Sequence, residues 1–470
     1  MLNWIDQRTG FVTMAKDFLT EDIPGGASYW YVFGSATIFA MILQIATGIF
    51  LTFFYAPSAN TAWESTQAIY NNPFQHFVLS MHYWGASAMI SLVFLHLLQV
   101  VVWGAYKSPR EIQWIVGVLL LLVTMVLGLT GYLLPWDMNA YFASQVAINL
   151  TLTMPVVGNF IQTFAQDGTT MGTLTINRFF GLHVWLMPAA LVALVGAHLA
   201  IFRHNGPAGP PVEDPRPLKP GRFWPDQMFM DTVASFVIFL IIIGLSFIAP
   251  PGLDAKADPT QSQFVPYPAW YFLDLFGLLN LVPGSLEIVG AIIIPGIATT
   301  ILVLLPWIDR STTRTFGSRK PILWMLTISM AIILGLTFWS QAGIAAKEAV
   351  STYKPVDGSK IAAPASTSST TTTTTTSAAP AGVDGSKVYA ANCSSCHGAT
   401  GAGTPGAFPP LAGNPVVQGP IAKVKGIVAD GLHGAIVVNG QKYDGMMPAW
   451  KSSLKPAEID AVVGYIRSLK

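Results

Sequence analysis

Charge is scarce in this chain. Only 10% of its 470 residues are Asp, Glu, Lys or Arg, where a water-soluble domain carries about 25%. With 52% hydrophobic residues, so little charge excludes an ordinary soluble fold and fits a chain that lives in lipid. The net charge of +1 gives no support to nucleic-acid binding. Cysteine is scarcer still: Cys393 and Cys396 are the whole supply. That excludes a disulfide framework. The N-terminus, "MLNWIDQRTGFVTMAKDFLTEDIPGG", lacks a continuous apolar core and a small-residue cleavage site, so it does not read as a signal peptide. Its apolar positions predict a short amphipathic helix lying on the membrane surface over residues 1–30.

What is present begins with those two cysteines. They stand in "ANCSSCHGATG", residues 391–401, where Cys393, Cys396 and His397 spell C-x-x-C-H, the attachment sequence of a c-type haem. The cysteines add to the haem vinyl groups and His397 becomes the proximal iron ligand. No cysteine remains for zinc or an iron–sulfur cluster, so an iron–sulfur partner must be a separate polypeptide. Covalent haem is normally loaded outside the cytoplasm, which raises the question of orientation.

Seven stretches are apolar and long enough to cross about 30 Å of hydrocarbon, at roughly 31–54, 77–104, 112–134, 180–202, 230–249, 287–307 and 321–342. Residues 1–30, 105–111, 203–229 and 308–320 hold twelve Lys and Arg, whereas the alternate loops 55–76, 135–179 and 250–286 hold two. The positive-inside rule then places the N-terminus in the cytoplasm. Everything after residue 342 is expected on the outer, periplasmic side of a bacterial inner membrane, where C-x-x-C-H can be loaded. Residues 343–384, with "ASTSSTTTTTTTSAAPAG" at their centre, cannot bury apolar area and read as a flexible linker. "VDGSK" flanks the threonine tract at 356–360 and again at 383–387, a small local duplication. From 385 to 470 the composition suits a small helical haem domain.

Inside the spans the strongly polar titratable groups are histidines. His82 and His96 lie in the second span, His183 and His198 in the fourth. Burying such groups is costly, so they are functional candidates. Fourteen residues at about 100° each bring His96 back within about 40° of His82, some 21 Å along the axis. The fifteen-residue step from His183 to His198 leaves about 60°, which a kink at Pro188 is expected to absorb. Two helices thus each present two imidazoles on one face, and paired across a bundle they make two bis-histidine haem sites stacked across the bilayer. Gly34 and Gly48 in the first span share the fourteen-residue period, as do Gly117 and Gly131 in the third. Backbone without Cβ at those depths lets a flat macrocycle pack between helices.

Residues 1–342 resemble cytochrome b of the bc family, the quinol:cytochrome c (or plastocyanin) oxidoreductases. The four histidines, both glycine pairs, "SPREIQW", "TGYLLPWD" and "NRFFGLH" carry the resemblance. The fifteen-residue step and the seven spans look like the b6 branch fused to subunit IV, and residues 385–470 resemble a class I cytochrome c. The implied fold is all-α: a seven-span transmembrane protein with a four-helix di-haem bundle, plus a small cytochrome c domain. The implied domains are a b6-like 31–204, a subunit IV-like 205–342, the linker 343–384 and the c domain 385–470.

The resemblance implies that His82 and His183 hold an outer haem and His96 and His198 an inner one. It implies quinol oxidation at the outer face by Pro268, Trp270 and Tyr271, and a Q cycle in which one electron goes to a Rieske iron–sulfur protein and the other crosses through the b haems. The family motif reads Pro-Glu-Trp-Tyr, but "YPAWYF" has Ala269 in place of the glutamate that usually takes a proton. Asp274, water or Tyr132 could substitute, unless Asp274 merely faces solvent or a partner. The cysteine that holds the additional haem of the b6 branch is here Val32, and an arginine expected three residues before His82 is Leu79, leaving Arg178 as a propionate partner. Arg203, His204, Asp226 and Asp231 are quinone-site candidates at the inner surface, with an ordinary interfacial role open for His204. "GMMPAW" offers Met447 as sixth ligand of the c haem, with Met446 as its near rival. His76 and His433 read as surface residues. The expected assembly is a homodimeric complex passing electrons to an external cytochrome or terminal oxidase. A linear b-to-c conduit without a Q cycle is the alternative, although it has no need of "YPAWY".

Overall fold

The computed structural model describes residues 1–470 except 167–170, 212–219, 260, 262–263, 283, 352, 354–355, 361–383, 399, 404–407, 433, 435, 444–446, 448–449, 452–453 and 470, together with the side chains of 285, 390, 391, 395 and 396. It is mostly helical and falls into two units, Met1–Ser366 and Thr367–Lys470.

Seven helices of the first unit are long and apolar enough to cross a membrane: Tyr29–Thr52, Pro73–Trp103, Glu111–Tyr132, Thr173–Asn205, Phe223–Ile248, Val289–Ile308 and Gly317–Val350. This is a multi-pass membrane protein. Large apolar side chains such as Phe229, Ile241, Ile297, Ile328 and Phe338 stand exposed along the later spans, as expected where the surrounding solvent is lipid. Local signals set the ends. Asn72 caps the second span by accepting from the Phe74 and Gln75 N–H groups at 3.1 Å, with Pro73 behind it, and Gly104 ends that span at φ 61°. Before the first span, helices Leu2–Thr9 and Phe11–Leu19 turn at Gly10, φ 65°.

The fourth span is not a continuous α-helix. Leu182–Leu186 form one π-turn between helices Thr173–Gly181 and Met187–Asn205. A π-turn inserts one residue without advancing the helix face. The extra residue of the fifteen-residue histidine step is therefore absorbed at His183 itself, one turn ahead of Pro188, rather than by a kink at the proline. Proline contributes indirectly, since it lacks the N–H that an ordinary turn would offer to the carbonyl of Val184.

At the end of the bundle nearest His82, here termed the cap end, helices Ala62–Asn71, Met138–Leu150 and Gly158–Gln166 lie over the spans. Trp63, Leu133, Trp136, Tyr141, Phe179 and Leu253 form their common core. The last span continues to Val350, past the expected end at 342, because "AKEAV" consists largely of good helix formers despite its polarity. Tyr353 and residues 356–360 then fold back on the cap as a strap. Tyr353 Oη donates to Asp254 Oδ1 at 3.0 Å, Val356 N–H to the same oxygen at 3.1 Å and Gly358 N–H to Leu253 O at 2.7 Å. Gln67 Nε2 donates to Gly358 O at 2.7 Å. The linker expectation for 343–384 is corrected accordingly: 343–350 is helix, and Tyr353, Val356 and Gly358 are bonded to the cap, while the threonine tract lies outside the described residues.

At the opposite end a buried polar knot joins the loop after the second span to the loop before the seventh. Arg319, 0% exposed, donates to Asp309 Oδ2 at 2.9 Å, Val102 O at 2.9 Å and Tyr106 Oη at 2.8 Å. Lys107 Nζ adds a 3.1 Å contact to Asp309 Oδ1.

The second unit packs helices Gly385–Asn392, Pro415–Gln418, Ile421–Asp430 and Pro456–Ser468 around Tyr389, Val424, Val428, Ile459, Val462 and Val463. A short hairpin, Ile436–Val438 with Gln441–Tyr443, completes it.

Candidate functional site

The four intramembrane histidines meet in two pairs. The His82 and His183 ring centres are 6.2 Å apart and the His96 and His198 centres 6.5 Å apart, with the rings at 77° and 80°. Two metal–nitrogen bonds of about 2 Å and two half-rings add up to that spacing, so each pair fits one haem iron. A side chain at Gly48, Gly131, Gly34 or Gly117 would come to 3.2, 2.5, 3.6 and 3.4 Å of Cε1 of His82, His183, His96 and His198 respectively. The glycines of the first and third spans therefore make room for the imidazoles of the second and fourth, in addition to any macrocycle.

Two residues of this site escaped the reading of the sequence. Thr47 donates its hydroxyl to Leu43 O at 2.7 Å, so its oxygen accepts from His82 Nδ1–H at 2.9 Å. Thr130 donates likewise to Val126 O at 2.8 Å, and His183 Nδ1 lies 3.2 Å from Thr130 Oγ1 and 3.1 Å from Leu127 O. Holding Nδ1 leaves Nε2 free for a metal and sets the ring's rotation. The available signal was the Thr-Gly dipeptide repeated at 47–48 and 130–131; Phe33 and Val116 replace the threonine before the other two glycines.

In the second unit His397 is 9% exposed, and its Nδ1–H donates to Pro409 O at 2.9 Å. Burial holds the imidazole below its ordinary pKa, which keeps it neutral and ready to ligate. Met447 is fixed by paired backbone bonds with Leu432 at 2.9 and 3.1 Å and packs on the apolar core. Cys393 is partly buried at the end of the first helix of this unit. The Cys396 side chain, Met446 and His433 lie outside the described residues.

Family comparisons follow the same division of the chain. The model for cytochrome b(N-terminal)/b6/petB matches residues 87–255, that for cytochrome b(C-terminal)/b6/petD residues 256–353, and that for cytochrome c residues 382–470. Cytochrome b of Allochromatium vinosum is 31% identical over 346 residues, 68% of this chain and 83% of its own. The chain belongs to the cytochrome b family and carries a C-terminal cytochrome c domain. Among its relatives, the menaquinol:cytochrome c reductase cytochrome b subunit of Geobacillus thermodenitrificans is 42% identical over 219 residues, 45% of this chain and 98% of that one. A solved hyperthermophilic respiratory Complex III superposes with a TM-score of 0.64 at 26% identity, covering 73% of this chain and 91% of that one.

In this cytochrome b the loop that carries Pro268 returns to the bundle at the cap end. Trp270 Nε1 donates to Ser87 Oγ at 3.2 Å and Tyr271 Oη to Gly128 O at 3.3 Å, where a Cβ at Gly128 would meet the ring at 2.9 Å. Tyr132 Oη donates to Tyr267 O at 3.1 Å and accepts from Asn139 Nδ2. Pro268, Trp270, Tyr271 and Tyr132 are thereby assembled from two distant stretches. Asp274 lies beyond them, half-buried in the first turn of helix Leu273–Leu281.

Arg178 donates to Thr163 O at 3.2 Å and Phe164 O at 2.5 Å, so its described bonds serve the end of a cap helix. At the other end of the bundle, Arg203 pairs with Glu21 and lies over the Phe18 ring, while His204 is exposed. Asp231 accepts from Gln227 Nε2 at 2.8 Å, and Gln227 Oε1 accepts from Ser28 N–H at 2.9 Å. Asp226 lines an open cleft of about 610 Å³ with Ala27, Pro225 and Phe229, which Arg203, His204 and Asp231 do not line.

Proposed function

We propose that this chain is the cytochrome b/c subunit of a bc-type quinol:cytochrome c oxidoreductase, holding two b haems and one covalent c haem. The Tyr267–Phe272 loop, tied to the bundle through Ser87 and Gly128, carries this reading, because a linear conduit could use the two imidazole pairs but has no use for that loop. Bound haem supplies reversible one-electron transfer. The protein's own residues do the rest. His82 with His183 and His96 with His198 would ligate the b haems; Cys393 and Cys396 would hold the c haem covalently, with His397 and Met447 as its iron ligands. Trp270 and Tyr271, pinned to Ser87 and Gly128, shape the quinol site at the cap end.

The alternation of positive charge in the loops supports an outward-facing cap end and a c domain on the same side. Quinol oxidised there releases two electrons and two protons, one electron passing to a separate Rieske protein and the other across the membrane. The relatives named as menaquinol:cytochrome c reductase subunits support menaquinol as the substrate. Arg203, Asp231 and Asp226 remain the groups for quinone reduction at the opposite face. A pyridine haemochrome assay on the purified chain tests the cofactor assignment, with two b haems per c haem expected. A ratio of one to one would overturn it.

A further inference from the structure

The proton acceptor missing at Ala269 has a replacement elsewhere in the cap. Asp137, 9% exposed, lies five residues beyond Tyr132 in the "LPWD" turn. One carboxylate oxygen caps helix Met138–Leu150, accepting from Ala140 N–H at 2.8 Å, and the other accepts from Asp254 N–H at 3.2 Å. Asp254 turns its own carboxylate outward to Tyr353 and Val356 and lines a cavity of about 320 Å³ shared with Tyr267, Glu348 and Tyr353. Tyr132 and Tyr267 of the quinol site thus lie within electrostatic reach of one buried carboxylate, and Asp254, whose N–H that carboxylate accepts, lines an opening under the strap.

We propose that Asp137 accepts a quinol proton in place of the absent glutamate and passes it by way of Asp254 to water in that cavity. The proposal rests on the quinol-oxidising reading. Both quinol O–H bonds break: one gives its electron and its proton to the iron–sulfur partner, and the other gives its electron to the b haem while its proton moves through a hydroxyl or water to the Asp137 carboxylate. Tyr70, Tyr132, Tyr267, Tyr353 and Asp254 lie within electrostatic reach of Asp137. Lys256, its partner in a backbone bridge, commits its ammonium to Glu64 at 2.6 Å. With no cation beside it among the described residues, burial pushes the Asp137 carboxyl up to about 6, against the pull of the Ala140 and Asp254 N–H groups. A group poised there can both take and release a proton at neutral pH.

The test is quinol-driven reduction of the b haems in the assembled complex, followed by stopped flow from pH 5 to 9 with menaquinol. The wild-type rate should rise with pH through about 6 as the acceptor ionises. Asp137→Asn keeps a side-chain oxygen for the helix cap but cannot titrate, so the rate should fall on the order of 10²-fold and lose that limb. Ala269→Glu in the same chain should recover most of it, which repair of a merely structural defect would not do. If Asp137→Asn loses its b-haem spectrum, Asp254→Asn carries the test and must displace the limb. A spectrally intact Asp137→Asn with an unchanged limb overturns the proposal. A wild type that oxidises no quinol at any pH would sink the underlying reading instead.

Discussion

A single hydrogen atom decides the packing at Gly131. Alanine there would place its methyl 2.5 Å from His183 Cε1, inside any tolerable contact, whereas alanine at Gly34 would stand 3.6 Å from His96 Cε1, an ordinary van der Waals distance. We expect Gly131→Ala to displace the imidazole and to empty or shift the spectrum of the b haem at the cap end. Gly34→Ala should leave both haems in place. Redox-difference spectra of the two variants check this, and equal losses in both would refute it. The threonines act on the same scale. Thr47→Val removes the acceptor for His82 Nδ1–H and should loosen the ring's orientation without removing the ligand, read as a broadened b-haem signal.

Elements are held to one another by few polar contacts, and the knot around Arg319 is the most exacting. Its guanidinium binds Asp309, Tyr106 and two carbonyls of the second span, and it lies against Gly104, where a Cβ would come to 2.9 Å of Cζ. Burial alone would raise the Asp309 carboxyl, but bonds from Ser311, Tyr106, Arg319 and Lys107 outweigh it and hold the group well below its ordinary value. Since the folded value lies below the unfolded one, this contribution is present at neutral pH and is lost only as pH falls below about 4. Arg319→Met leaves a buried carboxylate without its main partner and should cost about 3–5 kcal/mol. Adding Asp309→Leu should return part of that, because the buried carboxylate is gone and the Lys107 ammonium that paired with it keeps its bonds to the carbonyls of residues 309 and 311. The temperature at which b-haem absorbance collapses measures both. A double variant as unstable as the single one would show that the knot acts by packing alone.

At the scale of the whole molecule, orientation is the quantity most open to experiment. Twelve of the fourteen Lys and Arg counted in the loops lie on alternate connections, which predicts a c domain outside. A protease added to intact spheroplasts should release a haem-staining fragment. The strap narrows where it cuts: residues up to Val350 are helical, and Tyr353, Val356 and Gly358 are bonded to the cap, so the fragment should begin after residue 360. A fragment protected until lysis would reverse the orientation. One beginning before residue 350 would show that the strap does not hold.

The sequence alone determined the spans, the paired histidines and glycines at a common period, and C-x-x-C-H. Each depends on local composition or on helical repeat, and lipid makes apolar length unusually legible. What it could not reveal depends on contacts between distant stretches. Nothing near Gly131 in the chain says that its neighbour is an imidazole 52 positions on. The fifteen-residue step announced an extra residue, but only the folded fourth span shows it taken up in a π-turn at His183. "AKEAV" and the first "VDGSK" read as linker because they are polar; the former continues the last span because it consists largely of good helix formers, and the latter became strap because the cap loop offered Leu253 and Asp254 as partners. Asp137 stood in the sequence only as the last residue of "TGYLLPWD", with no role attached. Burial beneath residues more than a hundred positions away, which tertiary packing alone decides, is what changes its chemistry.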